Sequence, residues 1–383
     1  MKNLRLKEVL KEDFWIMPAT PKFIDNGIPY ITSKNIKNGR INFDNIKFIS
    51  DNDYEKISKN RPILENDILI SMIGTLGETA VVHKDDGSFY GQNMLLVRLD
   101  TNLITQRFFI NFFKSNSIKN QLLSKQNKST QSYLKLTHIE DLILPAYSIV
   151  EQTKISKRLD LIQEIISKKQ KQLNSLDNLI KSLFVEIFEN KDYEKKSLNS
   201  ISLGKGEYGS GAKAGDYKEN LPRYVRITDI NENGTLDDNF SSPLNEKKIE
   251  KYSLNYGDII FARTGATVGK TYMYSEKDGW CIFAGFCIRF KLNTKLVNPK
   301  YIFKFTQTEK YKAWIKNKQR IVAQPNINAK EYGEELLIPI PPIELQNKFA
   351  EFVNQIDKQK FEIQNGLNKM KELYETLINK YFG

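Results

Sequence analysis

The sequence predicts an α+β protein in which two duplicated mixed α/β domains are separated by a pair of long antiparallel coiled-coil helices, with pseudo-twofold symmetry. Three observations predict this fold. Segments of the chain recur at a constant offset, each copy contains short strand-like runs, and each copy ends in a helix with a heptad pattern of apolar residues. At 383 residues the chain is also too long for one ordinary hydrophobic core, so two domains are expected.

The internal repeat covers most of the chain. Tyr30, Pro145 and Gln152 recur 194 positions later as Tyr224, Pro339 and Gln346. The stretch ENDILISMIGTLGETAVV also matches YGDIIFARTGATVGKTYMY after a small gap. A period of this length is too long for a solenoid repeat and indicates a duplicated domain followed by a duplicated helix. It predicts domains at 1–147 and 191–340, a central helix at 148–190 and a C-terminal helix at 341–383.

Each copy reads as a mixed α/β domain. One helix is predicted in each, at 105–124 and at 298–317, and its aromatic residues are assigned to the core. Strands are predicted where β-branched and aromatic residues cluster: Ile28–Thr32, Asp67–Ile73, Thr79–Val82 and Met94–Leu99 in the first copy, and Arg223–Ile227, Asp258–Arg263, Thr271–Tyr274 and Phe286–Leu292 in the second.

The two long helices carry apolar residues at alternating steps of four and three, the pattern of a coiled-coil seam. Ser148 and Glu151 have the spacing of a capping box at the start of the first helix. Each seam is broken by one lysine, Lys169 or Lys360, and each lysine corresponds to an apolar residue in the other copy. The alternative is that each helix packs on its own domain. The predicted seam consists of Ile155, Leu159, Ile162, Ile166, Leu173, Leu176, Ile180, Leu183 and Ile187 in the first helix, and Phe349, Val353, Ile356, Ile363, Leu367, Met370, Tyr374, Leu377 and Tyr381 in the second.

The run DIIFARTGATVGKTY, residues 258–272, raises the question of a phosphate-binding P-loop. That motif needs a glycine five positions before the glycine of the Gly-Lys pair, but Thr264 occupies this position and the glycine follows at Gly265. The residue of the first copy that corresponds to Lys270 is Glu78, which would repel a phosphate. A tight turn between two strands is therefore the favoured interpretation.

The composition favours an anionic partner. The chain has 58 Lys and Arg against 46 Asp and Glu, a formal net charge of +12, which suits a nucleic-acid partner. The alternative is that an AT-rich genome, which encodes many Lys, Asn and Ile residues, raises the net charge without any such partner. Two polar stretches, 125–135 and 318–328, offer phosphate and base-edge contacts, or are solvated loops. Residue type and loop placement select the candidate DNA-binding residues Lys34, Lys37, Arg40, Thr75, Lys128, Gln131, Lys205, Lys213, Arg226, Arg263, Lys270, Arg320, Gln324 and Asn326. Of these, we assign Arg263, Lys270 and Arg320 to phosphates and Gln131, Gln324 and Asn326 to base edges.

The sequence contains no recognisable catalytic set. Neither of the two histidines, His83 and His138, has a counterpart in the other copy, no His/Cys cluster has metal-ligand spacing, and no pair of carboxylates recurs in both copies. Cys281 and Cys287 are expected as packed thiols on one face of a strand. Two cysteines and no apolar leader suggest a reducing cytoplasm.

The chain resembles the specificity subunits of type I restriction–modification systems. The resemblance spans essentially the whole chain and is carried by IPIPPIELQNKFAEFVNQID (338–357), its weaker copy LPAYSIVEQTKISKRLDLI (144–162), TPKFIDNGIPYITSKNIKNG (20–39) and GDIIFARTGATVGK (257–270). The first copy departs at Ala146 and Tyr147, where the family tends to carry prolines.

The resemblance implies a non-catalytic protein of bacterial or archaeal cytoplasm, associated with the nucleoid. Each target-recognition domain would read one half of a split sequence in double-stranded DNA through the major groove, and the helices would set the gap and dock two methyltransferase subunits. S-adenosylmethionine, ATP and Mg²⁺ would bind to those subunits and to restriction/translocase subunits, not to this chain. Two other interpretations are a solitary DNA-binding regulator and an NTPase that uses residues 258–272.

Overall fold

The computed structural model describes residues 3–17, 21–37, 39–72, 77–124, 139–189, 191–319 and 325–383. The chain divides into two compact units. Unit 1 comprises residues 1–170 and 365–383, and unit 2 comprises residues 171–364. Each unit therefore contains a globular part and a portion of both long helices. In the described part of the chain, no helix is long and apolar enough to span a membrane.

Unit 1 is built around an antiparallel sheet of four strands. The strands of unit 1 as a whole are β1 (Asn3–Arg5), β2 (Leu10–Ile16), β3 (Ile28–Thr32), β4 (Ile36–Lys37), β5 (Arg40–Ile41), β6 (Lys47–Ile49), β7 (Ile68–Ser71), β8 (Thr79–Val81), β9 (Tyr90–Gln92), β10 (Met94–Leu99) and β11 (Ile143–Pro145). Its short helices are α1 (Asp51–Ser58), α2 (Gln106–Phe113) and α3 (Asn116–Ser124). The main sheet has the order β2-β10-β7-β8, and β3 pairs with β6 and, in parallel, with β9.

Both faces of this main sheet are buried, because successive side chains of a strand point to opposite faces. Ile68 and Ile70 pack in a core with the helices, whereas Leu69 packs on the other side with Tyr30 and Ile31 of the smaller sheet. The consecutive apolar residues Ile68–Ile70 of β7 and Met94–Val97 of β10 are therefore explained by burial on both faces, where polar alternation would leave unpaired groups inside.

Unit 2 repeats this arrangement. Its strands are β12 (Lys195–Ser197), β13 (Glu207–Tyr208), β14 (Lys213–Asp216), β15 (Arg223–Val225), β16 (Ser241–Leu244), β17 (Asp258–Ala262), β18 (Thr271–Met273), β19 (Cys281–Phe283), β20 (Cys287–Lys291) and β21 (Leu337–Pro339). The main sheet has the order β13-β20-β17-β18, which matches that of unit 1, and β15 pairs in parallel with β19 as β3 does with β9. The duplication inferred from the sequence is thus present in the topology.

Two local expectations are wrong. Each region predicted as one helix contains two, because the chain turns at Ser115 and at Thr306–Thr308 and the second segment folds back on the core. In unit 1 these helices are α2 and α3. In unit 2, where the short helix α5 (Ile249–Tyr252) comes earlier in the chain, they are α6 (Pro299–Phe305) and α7 (Glu309–Gln319). The two cysteines also lie on different strands, β19 and β20, although both are buried in one cluster with Tyr272 and Phe283.

The long helices α4 (Ile149–Phe184) and α8 (Ile343–Phe382) are continuous. The capping box at the start of α4 is confirmed, since Ser148 N–H donates to Glu151 Oε2 at 2.9 Å and Glu151 N–H donates to Ser148 Oγ at 3.3 Å. A five-residue π-helical turn, Val185–Glu189, follows α4.

Within each unit the two long helices run antiparallel and contact each other. In unit 1, Arg158 donates to the Tyr381 hydroxyl at 3.1 Å and Gln163 donates to that of Tyr374 at 2.6 Å. In unit 2, Asp177 pairs with Lys360, and the Phe184 ring lies 5.6 Å from that of Phe349.

The residues of the predicted seam are all buried or half-buried. Ile155, Leu159, Ile162, Leu173, Ile180, Phe349, Val353, Ile356, Leu367 and Tyr381 are buried, and Ile166, Leu176, Leu183, Ile187, Ile363, Met370, Tyr374 and Leu377 are half-buried. Lys169 lies against Gly366, where a β-carbon would come within 2.8 Å of its Nζ. The missing side chain at Gly366 therefore makes room for the polar break in the seam.

A buried glutamine ties the start of each long helix to its globular part. Gln346 accepts a hydrogen bond from Asn298 N–H at 2.9 Å and donates to the Pro341 carbonyl at 2.8 Å. Gln152 accepts from Thr105 N–H at 2.7 Å and donates to the carbonyls of Leu103 and Tyr147, both at 2.9 Å. These side chains satisfy backbone groups that would otherwise be buried without partners.

Each unit also holds an arginine beside two carboxylates, on corresponding strands but at different positions of the register. In unit 1, Arg98 donates to both oxygens of Asp67, at 2.8 and 2.7 Å, and to Glu12 at 2.8 Å. In unit 2, Arg289 donates from two nitrogens to Glu207 Oε2, and a third nitrogen lies 3.5 Å from Asp258. The members of each set are far apart in sequence and meet only because β2, β10 and β7, or β13, β20 and β17, are adjacent in the sheet.

Candidate nucleic-acid interface

The stretch that resembled a P-loop is a β-hairpin. Strands β17 and β18 pair antiparallel, with Ile260 opposite Tyr272, and a single turn of 3-10 helix connects them. Lys270 is already engaged, because its Nζ lies 3.0 Å from Glu232 Oε1 and donates to the Ile230 carbonyl at 3.2 Å. A phosphate-binding loop needs a helix after the loop and a free lysine, so the turn interpretation is confirmed.

In unit 2, the end of β17 lies beside the segment 325–329. Ile327 N–H donates to the Arg263 carbonyl at 2.8 Å, Gly265 N–H donates to that of Pro325 at 3.1 Å, and Thr264 and Asn326 form an isolated bridge. Gly265 has a φ of +69°, and a β-carbon there would meet no atom within 4 Å. The backbone thus brings Arg263 and Asn326 together at an open turn.

Four residues meet at this turn, and we call them the Arg263 cluster: Tyr208, Arg263, Phe286 and Asn326. The Arg263 guanidinium carbon lies 4.9 Å from the centre of the Tyr208 ring, and Arg263 Nε–H donates to Asn326 Oδ1 at 3.3 Å. The Tyr208 hydroxyl is fixed in turn by accepting from Ala329 N–H at 3.1 Å. Phe286, whose carbonyl accepts from Arg263 N–H at 3.1 Å, is 61% exposed.

This cluster combines features of nucleic-acid contact surfaces. Exposed aromatic rings offer faces to bases and sugars, while a guanidinium held on a ring keeps its charge and its planar set of donors. Arg263 and Asn326 were predicted from the sequence, whereas Tyr208 and Phe286 were not. Strand β13 pairs with β20, and β20 pairs with β17, so the sheet brings Tyr208 and the turn at Phe286 to the cluster, and no sequence spacing signals it.

In unit 1 the candidate residues lie on a different element. Lys37 and Arg40 are exposed and face each other across the β4–β5 hairpin, and Lys34 is exposed on the preceding 3-10 turn. The equivalent segment of unit 2 carries acidic residues, among them Asp229 and Glu232. The two units therefore place positive charge differently on the same frame.

The remaining candidates divide by their surroundings. Lys205 and Lys213 are exposed, the latter on β14. Arg226 is half-buried, and its guanidinium donates to both oxygens of Asp229, an arrangement that raises the pKa of Arg226. Thr75, Lys128, Gln131, Arg320 and Gln324 lie outside the described residues.

Comparison with known proteins identifies the family. The family model for the type I restriction modification DNA specificity domain matches twice, over residues 1–177 and 190–372. The StySPI type I restriction enzyme specificity subunit of Salmonella potsdam is 20% identical, over 94% of this chain and 82% of its own.

Two solved structures share the fold. One, described as the structural basis of complex assembly and conformational transition of the type I R-M system, has a TM-score of 0.60 and 15% identity and covers 100% of this chain and 97% of its own. The other, the S subunit of a type I restriction-modification system from M. genitalium, has a TM-score of 0.56 and 16% identity, with coverage of 100% and 96%. With two matches that together span most of its length, this chain belongs to the family of type I restriction–modification DNA specificity proteins.

Proposed function

We propose that this chain is the non-catalytic DNA-recognition subunit of a type I restriction–modification complex. Each unit reads one half of a bipartite target in the major groove. The globular regions 1–147 and 191–340 act as the two target-recognition domains, and the helical regions 148–190 and 341–383 form an antiparallel coiled coil with pseudo-twofold symmetry. The coiled coil sets the gap between the half-sites and docks two methyltransferase subunits.

One observation carries the proposal. The two units have the same sheet order and each holds an arginine beside two carboxylates, yet they differ where candidate contact residues are exposed. Unit 1 presents the basic β4–β5 hairpin, and unit 2 presents the Arg263 cluster. A duplicated frame with different exposed side chains suits a protein that reads two different sequences, since base-edge contacts depend on the side chains and not on the frame.

The chemistry is assigned to the partner subunits. Among the residues that the structure describes, charged groups form internal ion pairs such as that of Arg98 with Asp67, and exposed basic residues such as Lys37 and Arg40, and both suit binding. S-adenosylmethionine, ATP and Mg²⁺ are accordingly placed on the methyltransferase and restriction/translocase subunits. The net charge of +12 gives the affinity for DNA a steep dependence on salt, because each Lys or Arg that contacts a phosphate releases counterions.

The coiled coil as a spacer is tested by lengthening it. Seven residues, one heptad, are inserted into both helices, between Gln170 and Lys171 and between Gln364 and Asn365, so that both seams stay in phase. At about 1.5 Å per residue each helix grows by about 10 Å, which corresponds to about three base pairs at about 3.4 Å each. Selection from a randomised DNA library should then return the same two half-sites with a gap about three base pairs longer.

A two-residue insertion at the same positions is the matched control. It rotates one apolar stripe by about 200°, at about 3.6 residues per turn, and should destabilise the chain. A heptad variant that folds and binds with an unchanged gap would refute the spacer role. The alternative, a solitary DNA-binding regulator, predicts that an affinity-tagged chain captures no methyltransferase subunit from cells of its source, whereas our proposal predicts that it does.

A further inference from the structure

The guanidinium of Arg263 is held in place by more neighbouring groups than a phosphate contact requires. Among the residues that the structure describes, no carboxylate lies within ion-pair distance of Arg263, whereas Arg98, Arg226 and Arg289 each have one. The ring of Tyr208 and the carboxamide of Asn326 instead hold the guanidinium from two sides. A phosphate can be contacted by a mobile side chain, but reading a base edge needs a planar set of donors in a fixed position.

The donors that remain available determine which base fits. Nε–H of Arg263 is used by Asn326, so the two terminal nitrogens are left without a hydrogen bond to the described residues. The Asn326 amide nitrogen beside them is a further donor. The guanidinium of the cluster thus presents two adjacent donors that are not used within it.

In the major groove, guanine presents two adjacent acceptors, N7 and O6. Adenine pairs one acceptor with an amino donor, cytosine presents a donor, and thymine presents one acceptor beside a methyl group. The two terminal nitrogens of Arg263, both donors, therefore match guanine and are unfavourable for adenine and cytosine.

The arrangement exists in only one of the two units. Ser71 lies opposite Met94 in unit 1 as Ala262 lies opposite Cys287 in unit 2, so the residue equivalent to Arg263 is Met72, which is buried. In the same register Leu95 corresponds to Ile288. Ile16 lies opposite Leu95 as Tyr208 lies opposite Ile288, so the residue equivalent to Tyr208 is Ile16. Unit 1 therefore has neither the guanidinium nor the ring that holds it.

We propose that Arg263, positioned by Tyr208 and Asn326, reads a guanine through N7 and O6 in the half-site bound by unit 2, and that unit 1 makes no equivalent contact. This inference rests on the proposed function. It also replaces the assignment of Arg263 to a phosphate that residue type alone had suggested.

The test uses the full chain and a randomised double-stranded DNA library. The wild-type chain should select a guanine in one half-site, and Arg263→Gln should lose the preference at that position by about tenfold or more, the discrimination expected of one bidentate contact. The other half-site should be unchanged. Arg263→Lys should retain part of the affinity but little of the preference, since an ammonium lacks the planar fork. Lys330→Gln is the matched control, because it removes one positive charge four residues from Asn326 and should leave every base preference intact.

A second measurement leaves the protein unaltered. The selected duplex is made with 7-deazaguanine at the assigned position, which removes the N7 acceptor and keeps base pairing. Wild-type binding should weaken by about tenfold, and the Arg263→Gln variant should bind both duplexes equally. Equal binding of both duplexes by the wild-type chain, or an unchanged consensus in Arg263→Gln, would overturn the inference and leave the proposed function standing. A wild-type chain that selects no sequence at all would overturn both.

Discussion

Replacing Gln346 by Met tests whether the buried glutamine holds the start of α8 to the globular part of unit 2. Gln346 is fully buried, and its side chain satisfies two backbone groups, the Asn298 N–H and the Pro341 carbonyl. Met has a similar length and fills the space, but it can neither accept the first hydrogen bond nor donate the second. The substitution therefore isolates the polar contribution from the packing contribution.

The magnitude follows from the two groups left without partners. A buried polar group that loses its hydrogen bond costs about 1–3 kcal/mol, so the pair should cost about 2–6 kcal/mol. With a urea m-value of about 2–3 kcal/mol/M for a unit of this size, a loss of about 3 kcal/mol lowers the midpoint of unit 2 unfolding by about 1 M. Gln346→Glu should destabilise unit 2 at least as much as Gln346→Met at neutral pH, because a fully buried carboxylate loses its hydration and repels the Pro341 carbonyl although it can still accept from Asn298 N–H.

Two measurements check this expectation. Urea unfolding followed by circular dichroism gives the midpoint, and hydrogen exchange with mass spectrometry gives the protection of the Asn298 amide, which should fall in Gln346→Met. Gln355→Met, on an exposed position of the same helix, is the control and should leave both unchanged. A Gln346→Met variant with the wild-type midpoint and full protection of Asn298 would show that the glutamine is not the tie.

Two further predictions concern titratable groups. Burial raises the pKa of Cys281 to about 12 and also raises that of Cys287, so at pH 8 neither thiol should react with Ellman's reagent in the folded chain and both should react in urea; fast reaction of either in the folded state would contradict the packing described. The hydrogen bond from Arg98 holds the pKa of Glu12 below its usual value of 4.5, in spite of the opposing effect of burial. Glu12 therefore stabilises the folded state fully above pH 4.5, and this stabilisation is lost as the pH falls through the lower pKa that Glu12 has in the folded state. The unfolding midpoint of Glu12→Gln should therefore fall less than that of the wild type between pH 6 and pH 3, and equal falls would refute the role of this ion pair.

Features encoded by local pattern could be predicted from the sequence. The strands at Ile28–Thr32 and Met94–Leu99 have the predicted bounds, because apolar runs and turn residues specify a strand locally. The capping box at Ser148 is equally local. The offset of 194 residues also placed Gln152 opposite Gln346, although it gave no indication that these side chains satisfy backbone groups.

Features that depend on strand pairing could not be predicted. Arg263 and Asn326 are 63 residues apart, and Arg289 and Glu207 are 82 apart, so only the sheet brings them together. The charge of Lys270 made it a candidate contact, but Glu232 lies within ion-pair distance of it in the fold. Side-chain type shows what a residue can bind, and its neighbours determine whether it is available.

The division of both long helices between the units has a consequence for biosynthesis. Phe382 packs on Phe108, with ring centres 4.9 Å apart, and Ile378 and Tyr381 belong to the same core of unit 1. Residues 171–364, which make up unit 2, are translated between the two segments that form this core. The first globular part of unit 1 therefore emerges from the ribosome long before residues 365–383 are synthesised. Unit 2 can complete its core first, and the core of unit 1 is completed only when these last residues have been translated.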